Sequence, residues 1–279
     1  MIVDFHTHTF PDAIAEKAVA KLSALSRSRA FTGGTAGALK ESMEKAGIGR
    51  AVILPVATNP EKIEKMNDIS IAQSGKDGLI LFGCVHPDAK NSLSEIRRLA
   101  RAGIRGIKIH PVYQGVNADD LRFLRILEKA GEEGLCVVAH AGDDIGFPGA
   151  EHASPERFAH ALREVGEVKL ILAHMGGWKR WDEVAPLFAH TSVMLDTSFS
   201  LGEIPASDPE MLREEKRLLT EDAFCTLVRA LGADRILFGT DSPWTGQKES
   251  AEAISSLPLT HTEKEMILGK NAEKLLKLR

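Results

Sequence analysis

IVDFHTHTF (residues 2–10) passes from a short apolar run straight into two histidines one residue apart. Strand side chains alternate, so Asp4, His6 and His8 share one side while Val3 and Phe5 share the other. With Val3 and Phe5 packed outward, both imidazoles point to the same rim. Further runs of similar character follow: AVILPV (51–56), LILFGCV (79–85), IRGIKI (104–109), LCVVA (135–139), VKLILA (168–173), SVMLD (192–196) and RILFGT (235–240). They are apolar on both faces rather than alternating, which fits strands buried between helices and an inner core.

The segments between these runs carry helix signals. Ser92 with Glu95 and Thr262 with Glu265 match the capping box, and Ser154-Pro155 reads as an N-cap followed by proline at the first helical position. In DLRFLRILEKAGEEG, Leu121, Leu124 and Leu127 recur on one helical face, with Gly131 and Gly134 as stops. Strand-like runs alternating with helices predict an α/β chain folded as a (β/α)8 TIM barrel, one domain over residues 1–279. No GxGxxG follows the first run, which argues against a doubly wound nucleotide-binding sheet. The longest connections, after the first and seventh runs, are expected to hold extra loops or helices.

Composition narrows the function classes. A net charge of −4, with basic and acidic residues mixed throughout, gives no basic stripe for nucleic acid or an anionic membrane. No apolar run approaches the ~18 residues of a transmembrane helix. Cys84, Cys136 and Cys225 form no close pair, which suits a reduced compartment, and a cytoplasmic location is expected. A small-molecule substrate is the expected partner, and assembly into a homo-oligomer is left open.

Six of the ten histidines sit at or just past the end of a run: His6, His8, His86, His110, His140 and His174. RILFGT is followed by Asp241, with Gly239 leaving space below it. In a barrel these C-terminal ends form the active-site face. Imidazole nitrogens and a carboxylate are the usual ligands of zinc and similar divalent ions. Such an ion lowers the pKa of a bound water from about 15.7 to about 7.

DFHTH after the first run, HAG after the fifth, LAHMGG after the sixth and FGTDSPW after the eighth resemble the amidohydrolase superfamily, in its amidohydrolase-related branch of metal-dependent TIM-barrel hydrolases. The closing ILGKNAEKLLKL is similar to that branch's terminal helix. The resemblance implies that His6, His8, His140 and Asp241 bind one divalent metal, zinc first and manganese second. It also implies catalytic roles for Asp241 and His174. Lys108, in GIKIHP, is where some members carry a modified lysine bridging a second metal, the less favoured arrangement here. Lys108, His110, Arg180 and Trp244 are candidate substrate contacts, and Asp196 is a candidate support for a ligand histidine. The function expected is hydrolysis of a C–N or C–O bond in a small carboxylated substrate by a metal-activated water. The alternatives are a non-oxidative decarboxylase of the same branch and a Schiff-base enzyme using Lys108 as nucleophile.

Overall fold

A computed structural model describes residues 1–278. They divide into two compact units, one built from Met1–Ile53 and the chain from Asp196 onward, the other from Leu54–Leu195. The strands are β1 (Ile2–Thr7), β2 (Ile48–Ile53), β3 (Leu79–Leu81), β4 (Gly83–Cys84), β5 (Gly106–Ile109), β6 (Cys136–Ala139), β7 (Lys169–Leu172), β8 (Met194–Asp196) and β9 (Ile236–Leu237). Each run read from the sequence overlaps a strand. The third is broken at Phe82 into β3 and β4, and the second begins earlier than expected because Ile48 pairs with Ile2.

In the first unit, β1 pairs in parallel with β2. Its other edge meets the last run of the chain: Phe5 N donates to Phe238 O (2.7 Å), Asp241 N to His6 O (2.8 Å) and His8 N to Ser242 O (2.7 Å). The first and last strand segments are therefore neighbours, whereas in an open doubly wound sheet they lie apart. Thr197 N in turn donates to Leu237 O at 3.0 Å. The long connections hold helices as expected, Asp12–Ser26 and Ala36–Ala46 after β1, Arg213–Lys216 and Glu221–Leu231 after β8. At the C-terminal end, Asn271 Nδ2 donates to the carbonyls of Ala233 and Ile236, each at 2.7 Å, and so fixes the start of β9.

In the second unit β4, β5, β6, β7 and β8 are parallel neighbours in chain order. Their registers are in step: Ile109 pairs with Ala139, and Ala139 with Leu172. His110, His140 and the Ala173–His174 pair consequently emerge at one level. Ile107, Val137, Val138, Ile171 and Leu172 are fully buried, as continuous apolar strands require.

Three local expectations need correction. Helix Leu121–Glu132 buries Phe123, Ile126, Leu127 and Ala130, an i, i+3, i+4, i+7 stripe, while Leu121 is exposed. That stripe carries the aromatic ring and outweighs the leucine spacing. Ser92 caps nothing: its Oγ donates to His86 O at 2.6 Å, and Glu95 accepts from Asn67 Nδ2 at 2.9 Å. Asn67 also bonds both the N–H and the C=O of Cys84, so this buried polar set holds β4. The last capping box is formed by Thr260 and Glu263, two residues upstream of the pair expected. Ser154-Pro155 opens helix Pro155–Glu164 as read.

Candidate metal centre

β1 and the turn after β9 bring His6, His8 and Asp241 together. His6 Nε2 lies 3.2 Å from His8 Nε2, His8 Nε2 lies 3.0 Å from Asp241 Oδ1, and His6 Nε2 lies 3.4 Å from the same oxygen. Asp241 occupies the left-handed region at φ +61°, where aspartate is among the better-tolerated residues.

The protonation of His6 follows from what surrounds it. Asp196 Oδ1 accepts from Ser198 N (3.0 Å) and from Ser198 Oγ, and its Oδ2 lies 2.7 Å from His6 Nδ1. A carboxylate placed this way accepts a hydrogen from Nδ1, with Ser198 Oγ also 3.0 Å from that nitrogen. The Nε2 lone pair then faces a second imidazole nitrogen and a carboxylate oxygen. Such electron-rich atoms meet closely only around a proton or a cation. Adjacent donors around a tetrahedral zinc ion, with bonds of about 2.0–2.1 Å, are about 3.3 Å apart. The observed 3.0, 3.2 and 3.4 Å edges fit a divalent cation.

Beneath this triangle, the buried Asp4 carboxylate accepts four hydrogen bonds, from His6 N (3.2 Å), Thr240 N (3.0 Å), Thr240 Oγ1 (2.7 Å) and Gln247 Nε2 (2.7 Å). Burial pushes its pKa up to about 6 despite those donors. Gln247 Oε1 is itself buried without a hydrogen-bond partner among the described residues. Asp4→Ala is expected to lower unfolding stability by about 2 kcal/mol, since it orphans several donors at once. Asp4→Asn should cost less, because a flipped Gln247 amide offers its oxygen to the new NH₂. Chemical denaturation of both variants checks the order, and an equal loss in the two rules the account out.

Gly239 faces His6 directly: a Cβ there would come within 2.8 Å of His6 Cβ. Gly239→Ala is expected to displace the imidazole and weaken metal binding about tenfold in a still-folded chain, read by competition with a chromogenic chelator. Unchanged affinity would show that His6 has slack.

The second unit gathers another set. His110, His140 and Asp144 form a second cluster with metal-ligand atoms close together. Its histidine nitrogens make other hydrogen bonds here. His110 Nδ1 accepts from Tyr113 N (3.3 Å) as N-cap of helix Pro111–Gln114, so the neutral ring carries its hydrogen on Nε2. His140 Nε2 lies 3.1 Å from the Asp143 carbonyl, which only accepts, so that nitrogen is also a donor. His140 Nδ1 then receives the hydrogen of His174 Nε2, at 3.1 Å. The His110 ring stacks between Tyr113 (3.9 Å) and His140 (4.1 Å). His174 and Met175 are both left-handed, at φ +58° and +53°, each costing about 1–2 kcal/mol.

The remaining expected contacts are placed less tellingly. Lys108 is buried on β5, level with Cys84 and Val138. Arg180 Nε donates to Glu183 at 2.6 Å, and that carboxylate, with Asp143 and Glu151 near it, raises the guanidinium pKa. Trp244 is half-buried, its backbone N–H donating to the Asp241 carbonyl at 2.9 Å. Asp196 supports His6 as expected. Ser198, Thr240, Gln247, Tyr113 and Asp144 were not read from the sequence.

A family model described as Amidohydrolase matches residues 3–278. The chain belongs to the amidohydrolase family. No curated protein sequence matches it. Among solved structures, an uncharacterized TIM-barrel protein from Bordetella bronchiseptica is 19% identical, with a TM-score of 0.73 over 99% of this chain and 98% of that one. A putative amidohydrolase from Staphylococcus aureus is 18% identical (TM-score 0.69, 99% of each chain). A dihydroxybenzoic acid decarboxylase from Polaromonas sp. JS666, with bound manganese and the inhibitor 2-nitroresorcinol, is 15% identical (TM-score 0.68, 99% and 97%). The amidohydrolase chain thus has the TIM-barrel fold, as its strand pattern predicts, and is an enzyme of that superfamily. No helix among the described residues is long and apolar enough to cross a membrane.

Proposed function

We propose that this amidohydrolase is a metal-dependent hydrolase of a C–N or C–O bond in a small carboxylated molecule. The observation that carries the reading is the His6–His8–Asp241 triangle, whose 3.0–3.4 Å edges set three electron-rich atoms around one point. These residues would hold the ion. By the resemblance of its HAG motif, His140 would be the fourth ligand. Zinc is the first choice; manganese is supported by the manganese-bound decarboxylase structure. When bound, the ion polarises a substrate oxygen and makes water acidic near neutral pH.

The chain's own groups then divide the work. Asp241 turns one oxygen to the imidazoles, and the proton is assigned to its other oxygen for delivery to the leaving group. His174 is assigned a hydrogen bond to the developing oxyanion, its Nε2 hydrogen turning there from His140 Nδ1. Lys108 and His110 are assigned the substrate carboxylate, His110 through its Nε2 hydrogen. Decarboxylation is the second reading, favoured by the fold shared with the dihydroxybenzoic acid decarboxylase. The intact HTH pair weighs toward hydrolysis.

Metal analysis of the purified chain, then reconstitution with zinc or manganese, comes first. A screen of small carboxylated amides, lactones and unsaturated acids follows, reading hydrolysis and carbon dioxide in parallel. Hydrolysis that a chelator stops is the expected result. Carbon dioxide release moves the chain to the second reading. A borohydride-trapped adduct on Lys108, indifferent to chelator, replaces both.

A further inference from the structure

We propose that Trp181 is a positioning residue for His174, acting through the His174 carbonyl; the inference rests on the catalytic role proposed above for that histidine. The Trp181 indole Nε1 donates to His174 O at 2.9 Å, and Gly177 N reaches the same oxygen only at 3.4 Å, the long end of the hydrogen-bond range. The carbonyl belongs to a stretch of three residues, His174, Met175 and Gly176, all at positive φ. For His174 and Met175 the right-handed alternative is intrinsically preferred, so this turn persists only where its surroundings hold it.

The surroundings are arranged as a clip. Trp178 N donates to Ala141 O and Asp143 N donates to Trp178 O, both at 2.9 Å. These two bonds stitch the chain leaving His140 to the chain leaving His174. Gly142 lies between them at φ +93°, and a Cβ on it would sit 2.1 Å from Trp178 N. From there Arg180 N closes a tight turn on Gly177 O (2.8 Å), and Trp181 opens the short turn Trp181–Glu183. Its indole thereby returns to the residue at which the loop began. Backbone bonds fix the far end of the loop, and the indole fixes the near end. Between them they set the direction in which the His174 ring leaves the chain, and hence the 3.1 Å approach of its Nε2 to His140 Nδ1.

The test is Trp181→Phe, which keeps an aromatic ring and removes the donor, in metal-loaded full-length chain with isotope-labelled histidine. The His174 imidazole signals, assigned through His174→Gln, are expected to shift or double, while those of the distant-in-sequence His152 and His261 stay put. Bound metal per chain stays the same. On any substrate the parent enzyme turns over, kcat is expected to fall at least about tenfold at unchanged KM, the scale of a slightly misplaced catalytic group. Trp178→Phe, which leaves the backbone stitches in place, is expected to leave the His174 signals unchanged. Unmoved His174 signals in Trp181→Phe overturn the proposal. Should that variant not fold, benzothienylalanine at position 181 keeps the shape of the indole without its N–H, and the same signals decide. The spectroscopic readout is independent of the reaction: moved signals in a chain with no turnover uphold the positioning and sink the proposed function, and unmoved signals in an active hydrolase do the reverse.

Discussion

Asp241→Asn is expected to cut turnover about a thousandfold, the middle of the range for losing a positioned acid–base group. Asparagine matches aspartate in shape and also tolerates the left-handed backbone that position 241 adopts at φ +61°. The turn, the Asp241 N to His6 O bond and the Trp244 N bond to the Asp241 carbonyl should therefore survive. What changes is chemical. A neutral amide brings no charge to the point where His6 Nε2 and His8 Nε2 meet Asp241 Oδ1, and it has no oxygen that takes up a proton. Metal affinity is expected to fall with activity, so turnover is to be measured at saturating metal as well as as-purified. A thousandfold loss that excess metal does not restore identifies the proton-transfer role. A loss that excess metal restores assigns Asp241 to holding the ion alone. A variant that keeps both its metal and its rate removes Asp241 from the centre altogether.

That aspartate was legible because it closes the last apolar run, as the histidines close theirs. Strand ends can be located from burial alone: VKLILA is apolar on both faces, so its limits are the limits of β7 to within a residue or two. The HTH pair needed only the alternation of side chains along β1. What could not be read were the groups that hold these side chains from elsewhere in the chain. Gln247 meets Asp4 across more than two hundred residues, and nothing in QKES distinguishes it from a solvent-facing helix start. Ser198 is two residues past Asp196, but serine after a strand is commonplace. His110 is a different case. Its place at a strand end groups it with the rim histidines, yet its Nδ1 caps the helix that begins at Pro111. The His110-Pro111 dipeptide is the same signal as Ser154-Pro155, an N-cap before proline, and it reads correctly once the residue before the proline is asked for an acceptor. On helix Leu121–Glu132 the equal spacing of leucines masks the buried stripe, which includes phenylalanine and alanine.

The support beneath His6 leads to the remaining strong effect, a loss of metal affinity of about 10- to 100-fold in Asp196→Asn. Asp196 is fully buried and meets Ser198 N and Oγ with one oxygen and His6 Nδ1 with the other. As a carboxylate it accepts from all of them and so keeps the His6 hydrogen on Nδ1. An asparagine has one accepting oxygen for the same neighbours, and its NH₂ requires an acceptor. If the NH₂ turns toward His6, Nδ1 must become the acceptor and the hydrogen moves to Nε2, the nitrogen that faces His8 and Asp241. If it turns toward Ser198, it opposes a backbone N–H. Either arrangement penalises the tautomer that binds metal. Ser198→Ala removes one donor from Asp196 but leaves the carboxylate on Nδ1, so its effect on affinity should be the smaller. Because both residues act on the same ring nitrogen, the double variant should lose less than the two single losses combined. Competition titrations with a chelator give all three affinities. Full additivity, or an Asp196→Asn chain that binds its ion as tightly as the parent, would mean that packing alone orients His6 and that the carboxylate has no hand in its tautomer.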